Sequence, residues 1–308
     1  MSGSISPLPW TGNKGCIYTT IDAFMPPHKT YVEPCMGSAE VFLRKKPSER
    51  EIINDYNGDL VKFFRVLQRS EKLAYLIGRL YFSFNSEELF RANKALLSDV
   101  ENILDDITET AITIENAHWH DIELAVAFFE NQTFSFSSTG KTFAIAKKDM
   151  TRKFGRLVAA CSRLRNAIIM HRDYKDCINY AAGKDTFILL DPPYKGTEDY
   201  YQKSSFGSEE HSKLFELMDG INKKFEGECK FIITYNNDPY IVDFANKCGF
   251  HTYVKERLHN MIQSSKPGEM FEELLIANYD LEKQAEINNK YLTEINRQLN
   301  LFDFQHNY

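Results

Sequence analysis

Phe187-Ile188-Leu189-Leu190-Asp191-Pro192-Pro193-Tyr194 is the stretch on which the reading of this chain turns. Four apolar residues run without a polar break into an acid and a proline pair. A short apolar run stopped by prolines reads as a buried strand of a parallel sheet, cut off at its carboxyl end. In open α/β sheets ligands bind outside those carboxyl ends, so Asp191 is expected to face a crevice. The prolines hold the backbone beside it in one extended shape, and Tyr194 adds a flat face. Taken alone, the same four letters also suit a strand-ending turn with no chemistry; the rest of the chain has to separate the two readings.

The chemistry that fits such a kit is the gripping of an amino group on a planar ring. The lone pair of an exocyclic amine such as adenine N6 is delocalised into the ring. A carboxylate and a backbone carbonyl that accept its two hydrogens draw the nitrogen toward a tetrahedral shape, and Asp191 and the Pro192 carbonyl are of the right types. The Tyr194 ring can stack on the base, a contact worth about 1–3 kcal/mol in nucleic-acid sites. A base inside a duplex has to be flipped out to reach such a pocket.

Toward the N-terminus, Pro9-Trp10-Thr11-Gly12-Asn13-Lys14-Gly15 sets an aromatic beside a glycine-bracketed lysine and leads into a helix over 17–24. Tyr31-Val32-Glu33 reads as a strand. It ends in Pro34-Cys35-Met36-Gly37-Ser38-Ala39-Glu40, and Val41-Phe42-Leu43 opens a helix. Strand, small-residue turn, helix is the arrangement that brings a nucleotide-like ligand against backbone amides. Ile52-Ile53-Asn54-Asp55 is a second strand with an acid at its tip, about 20 residues on, a spacing that suits ribose hydroxyls. A purely structural α/β crossover would look nearly the same.

From Asp59 to Lys148 glycine and proline are sparse and apolar residues recur at helical spacing, over 60–67, 73–80, 88–97 and 122–129. The segment from Asn131 to Lys141 breaks this with polar, aromatic and glycine residues and is expected to be a loop or short hairpin, where recognition concentrates. Lys147, Lys148, Arg152, Lys153, Arg156, Arg163, Arg165 and Arg172 then form a basic stretch that suits phosphates, unless it is merely a solvated helix face. Strands resume with Ala167–Met170, leading to Asp173-Tyr174, and continue through Phe231–Tyr235 and a closing pair at Tyr253-Val254 and Leu274–Ala277. Between them Ser208 is expected to cap a helix whose first turn is acidic. The expected fold is α/β: a seven-stranded, mostly parallel Rossmann-like sheet formed by 7–60 and 155–280, a helical insertion over 61–154, and a tail over 281–308.

The chain has 308 residues and a net charge of −6, which argues against a purely electrostatic coat on nucleic acid. No apolar run approaches the roughly 18 residues of a membrane span and the start has no signal-peptide pattern, so a cytoplasmic protein is expected. The six cysteines (16, 35, 161, 177, 229, 248) show no paired or metal-like spacing and read as reduced thiols. Nor do the eight histidines form a ligand cluster, and His118 and His120 beside Trp119 read as packing or surface residues. No metal is expected.

Taken in order, these motifs resemble the Dam-type, D12-class adenine-specific DNA methyltransferases over nearly all of 7–279. Pro9-Trp10-x-Gly12-x-Lys14 resembles that family's N-terminal cofactor motif, which implies that Trp10, Gly12 and Lys14 meet S-adenosylmethionine. Glu33-Pro34-x-x-Gly37-x-x-x-Val41-Phe42 resembles its glycine motif, Asn54-Asp55-x-Asn57-x-x-Leu60 its ribose motif, and Asp173-Tyr174 the pair beside the cofactor adenine. Asp191-Pro192-Pro193-Tyr194 is similar to its catalytic signature, and Glu273-Leu274-Leu275-Ile276-x-Asn278-Tyr279 to its closing motif. The resemblance implies a bacterial or phage-encoded enzyme acting on double-stranded DNA as a monomer. Its target-recognition region would be the insertion, with Lys141, Lys147, Lys148, Arg152, Lys153 and Arg156 as DNA contacts. Two positions depart from the pattern: Cys35 stands where the family usually has Phe, and Ala39 where it has a second Gly.

Three other readings compete. Pro34-Cys35 resembles the nucleophile of a cytosine C5-methyltransferase, but it lies where the cofactor turn belongs. An RNA adenine or a protein glutamine amide would be a different acceptor for the same cofactor, although enzymes of that kind more often carry Asn where Asp191 stands. A regulator built on a dead scaffold would have lost at least one of the motif residues, and all are present. In the tail, Gln298-Leu299-Asn300-Leu301-Phe302 resembles the sliding-clamp-binding motif of bacterial DNA-processing proteins, with Leu301 and Phe302 as apolar anchors.

Overall fold

The structure, a computed structural model, describes residues 4–106, 114–145, 149–196, 206–258 and 268–305, with the side chains of 99–118, 208 and 294–305 outside that description. Seven strands form one sheet in the order β3-β2-β1-β4-β5-β7-β6. They are β1 (Thr30–Glu33), β2 (Arg50–Asn54), β3 (Ile168–Met170), β4 (Thr186–Leu190), β5 (Lys230–Asn236), β6 (His251–Leu258) and β7 (Met270–Ala277). β1 through β5 pair in parallel, and β7 runs antiparallel to both neighbours. β1 and β4 are buried along their whole length, and from Phe187 onward β4 is accordingly apolar without alternation.

The helices are α1 (Tyr18–Phe24), α2 (Glu40–Arg44), α3 (Gly58–Leu67), α4 (Ser70–Tyr81), α5 (Glu87–Asp106), α6 (Ile114–Phe134), α7 (Phe154–Leu164), α8 (Tyr174–Ala181), α9 (Ser208–Lys224), α10 (Pro239–Lys247) and α11 (Leu281–Gln305). One face of the sheet is covered by α8, α9 and α10, whose Ile178, Phe215 and Ile241 pack on Ile188 and Ile233. On the other face lie α1, α3 and α7 together with the block α4–α6. Phe63, Phe128 and Phe129 there belong to the same apolar cluster as Ile53, Phe187 and Leu189 of the sheet. Phe63 and Phe129 stack at 5.5 Å with 13° between their planes. The helices between β2 and β3 therefore share the core of the sheet.

Three local expectations change. Helix α6 runs on to Phe134 because Glu130, Asn131, Gln132 and Thr133 are all buried against the core, so the polar stretch begins as helix. Only beyond it does the chain turn, with Ser135 bridging Phe143 in a hairpin-like loop. Ser208 is the first helical residue of α9 and Gly207 occupies the cap. The tail helix continues through 298–302, so that pentapeptide has a helical backbone while its side chains lie outside the described residues. No helix among the described residues is long and apolar enough to cross a membrane.

Candidate active site

The strand order reverses between β1 and β4, and at that switch point the carboxyl ends of the parallel strands part to leave a crevice. A cavity of ≈ 290 Å³ opens there, lined by Trp10, Gly12, Lys14, Glu33, Pro34, Gly37, Asp55, Asp173, Tyr174, Asp191 and Pro193, residues from four strand ends and the N-terminal segment.

The turn after β1 is built tightly. Gly37 has φ +47, and a Cβ on it would lie 2.9 Å from Trp10 Nε1, so only glycine lets the indole rest on the turn. Ala39 also sits in the left-handed region (φ 53, ψ 30), where a glycine would be free of the roughly 1–2 kcal/mol penalty that its methyl incurs. Asp55 at the tip of β2 accepts hydrogen bonds from Gly37 N (3.0 Å) and Asn57 N (2.9 Å), while burial raises its pKa. Beside it Asn54 ties three strand ends together, donating to the Pro34 carbonyl at 2.8 Å and accepting from Arg172 N at 2.9 Å. Asp173 caps α8 by accepting from Lys175 N.

The N-terminal segment is fastened over these tips by Glu40. Its buried carboxylate accepts from Ile5 N and Ser6 N, both at 3.0 Å, and from Asn13 Nδ2 at 3.1 Å. Lys14 thereby reaches Asp191, with Nζ 2.7 Å from Oδ2 and 2.8 Å from the Gly12 carbonyl. The other carboxylate oxygen of Asp191 accepts from the Thr234 hydroxyl at 2.6 Å. Behind this pair lies Glu273, fully buried, 3.7 Å from Lys14 Nζ, taking the Tyr194 hydroxyl on one oxygen and Arg257 Nε at 2.9 Å on the other. Two cations thus face two carboxylates in a buried cluster. Burial works to lower the Lys14 pKa, but Asp191 and Glu273 more than offset it and hold the ammonium charged. Burial raises Asp191, with Lys14 and Thr234 pulling the other way. Tyr194 does not line the cavity: its ring centroid is 4.9 Å from Lys14 Nζ and 5.8 Å from that of Tyr235.

A model of the D12 class N6 adenine-specific DNA methyltransferase family matches residues 10–261. The chain belongs to this family. Among characterised proteins, the chain is similar to the DNA N-6-adenine-methyltransferase of Escherichia phage P1, 25% identical over 253 residues. The match covers 78% of this chain and 31% of the phage protein, so the chain spans about a third of that relative's length.

Of the residues expected to meet DNA, Arg152 and Arg156 are exposed at and beyond the short turn that opens into α7. Lys153 is half-buried, its Nζ 3.3 Å from the Pro7 carbonyl and over the Phe129 ring. Lys141 lies in the 135–143 loop, where its carbonyl accepts from Lys94 Nζ at 3.2 Å. Lys147 and Lys148 lie outside the described residues. Arg163, counted in the same basic stretch, turns inward to a two-toothed ion pair with Glu51 and stacks on Phe42 at 4.0 Å. Cys35 lines the cavity, but burial and the surrounding carboxylates push its thiol well above the ordinary range, opposite to what a nucleophile needs.

Sequence reading assigned no role to Glu273, Thr234, Arg257 or Glu40, although two of them lie inside quoted motifs. Glu272 and Glu273 stand side by side within β7, and nothing in the sequence says which of the two is buried.

Proposed function

We propose that this methyltransferase transfers a methyl group to the N6 amine of an adenine flipped out of double-stranded DNA, with S-adenosylmethionine as donor. The observation that carries this reading is Asp191 at the tip of β4, held at both oxygens beside a cavity whose far side is the Gly37–Asp55 turn. The cavity fits a nucleoside-sized donor. A buried acid at the second strand tip suits ribose hydroxyls, the Asp173 end suits the purine, and the Trp10–Gly37 contact closes the floor. When bound, the donor supplies an electrophilic methyl on a sulfonium.

The chain's own part is to orient and polarise. Each oxygen of Asp191 keeps a lone pair beyond those given to Lys14 and Thr234, and with the Pro192 carbonyl it takes the hydrogens of the amine. Lys14 and Thr234 fix the carboxylate so that the amine enters in line, and holding reactants in line supplies much of such a rate. As nitrogen gains the methyl it becomes cationic, and Asp191, its pKa raised by burial, is placed to receive the proton it sheds. Tyr194 is read as the stacking face for the base, and Lys141, Arg152 and Arg156 as phosphate contacts.

Nucleoside mass spectrometry of duplex DNA incubated with the protein and S-adenosylmethionine tests the reading. N6-methyladenine is expected with the wild type, and Asp191→Ala is expected to lose it by at least about a hundredfold, the scale of a positioned polar group in catalysis. An Asp191→Ala variant as active as the wild type would sink the assignment, and methylated RNA or protein in place of DNA would move the acceptor.

A further inference from the structure

The cavity has a second wall that neither the motifs nor the family resemblance accounts for. It comes from the far end of α6 and the loop beyond, through Phe128, Asn131, Gln132 and Gly140, with Lys94 of α5 at the rim. Asn131 and Gln132 are 6% and 7% exposed, yet among the described residues Asn131 Oδ1 and Gln132 Oε1 have no hydrogen-bond partner. Buried polar atoms without partners are rare and call for an explanation.

The Asn131 amide is oriented from the other side. Asn131 Nδ2 donates to the Gly140 carbonyl at 3.4 Å, which leaves Oδ1 as the free end of that amide. Gly140, at φ +71, lets the loop lie against both amides. A Cβ there would stand 3.1 Å from Gln132 Nε2 and 3.2 Å from Asn131 Nδ2. Phe128, three and four positions earlier on α6, shares a helix face with them and approaches Trp10 at 6.4 Å between ring centroids. The end of α6 that carries the two amides therefore lies on the Trp10 side of the cavity.

Under the proposed function, on which this inference rests, the donor offers three kinds of hydrogen-bond donor. Asp55 suits the ribose hydroxyls and the Asp173 end the purine amine, which leaves the α-ammonium of the amino-acid end. We propose that Gln132 and Asn131 accept hydrogen bonds from that ammonium, and that Lys94, steadied by its bond to the Lys141 carbonyl, faces the adjoining carboxylate. The insertion then supplies the wall that holds the zwitterionic end of the donor.

Isothermal titration with S-adenosylhomocysteine and with 5′-methylthioadenosine, which lacks the amino-acid end, tests the assignment. The wild type is expected to prefer S-adenosylhomocysteine. Gln132→Met should weaken that ligand about tenfold, the scale of one charge-assisted bond, and leave 5′-methylthioadenosine unchanged. The same variant should raise the melting temperature of the ligand-free protein, because it removes an unpartnered buried acceptor, whereas loss of a purely structural residue would lower it. Gln132→Glu, which keeps an acceptor, should bind S-adenosylhomocysteine at least as well as the wild type. Equal weakening of both ligands by Gln132→Met, or no weakening of either, overturns the proposal while leaving the donor site intact. A wild type that binds neither ligand overturns the proposed function itself.

Discussion

Glu33 ends β1 among apolar neighbours, with Tyr31 Oη donating to it at 2.9 Å. Burial, against the pull of the Tyr31 hydrogen bond and with Asp191 adding repulsion, pushes its pKa up from 4.5 to about 8. An acid whose folded pKa is raised stabilises the fold fully below its unfolded value, and that contribution fades as pH rises through the folded one. Between pH 4.5 and about 8 the protein is thus expected to lose a few kcal/mol from this group alone. Urea unfolding of Glu33→Gln should show a flatter pH dependence and a higher midpoint than wild type at pH 8. Parallel curves for the two proteins would rule Glu33 out as the titrating group. At this scale much was legible. An acid that ends an apolar run, as Asp191 does, sits at a strand tip, because the run fixes where the strand stops. Glu273 was not legible, since its place at the same rim requires β7 to be reversed, and no local pattern states a strand's direction.

The element that divides reading from structure most sharply is α7. It carries two arginines, Arg156 and Arg163, that the sequence does not tell apart, but a helix has an inside and an outside, and only three-dimensional packing says which cation falls where. Arg156 faces solvent, whereas Arg163 is drawn under the sheet by Glu51 and Phe42, with Lys45 completing the cluster 2.7 Å from Glu51. Removing one partner of a buried ion pair costs about 3–5 kcal/mol, less here because Lys45 remains to balance Glu51. Arg163→Ala is expected to lower thermal stability clearly and to leave the salt dependence of DNA binding unchanged. Arg152→Ala and Arg156→Ala should do the reverse, each lowering the slope of log K against log salt by about one. Fluorescence anisotropy at several salt concentrations, beside melting curves, separates the two classes. A salt slope altered by Arg163→Ala would return that residue to the DNA surface. The overlong α6 has the same cause: Glu130 through Thr133 are polar by composition, yet packing buries them, and burial is a property of neighbours.

Across the molecule, the sheet and the helices between β2 and β3 have one apolar interior on their shared side. Gln68 reinforces the join, its Nε2 donating to the Leu164 and Ala167 carbonyls, both at 2.8 Å, so that the helix leaving β2 is tied to the chain returning to β3. Scanning calorimetry is expected to give a single transition whose calorimetric and van't Hoff enthalpies agree. Two separated transitions would show that the insertion folds apart from the sheet. The change to helical periodicity after β2 was readable, since α3 to α6 follow it; the continuity of the core was not, because apolar residues at helical spacing look alike whether they pack on one another or on a sheet.

That continuity bears on how such a protein can change over generations. Phe63, Phe128 and Phe129 face the sheet's own cluster, and truncating any one of them would cost about 3–5 kcal/mol. A foreign insertion would arrive with the wrong complement to that surface. Change on that side would have to accumulate one side chain at a time on the outer loops, while the aromatic seam beneath them is passed down unaltered.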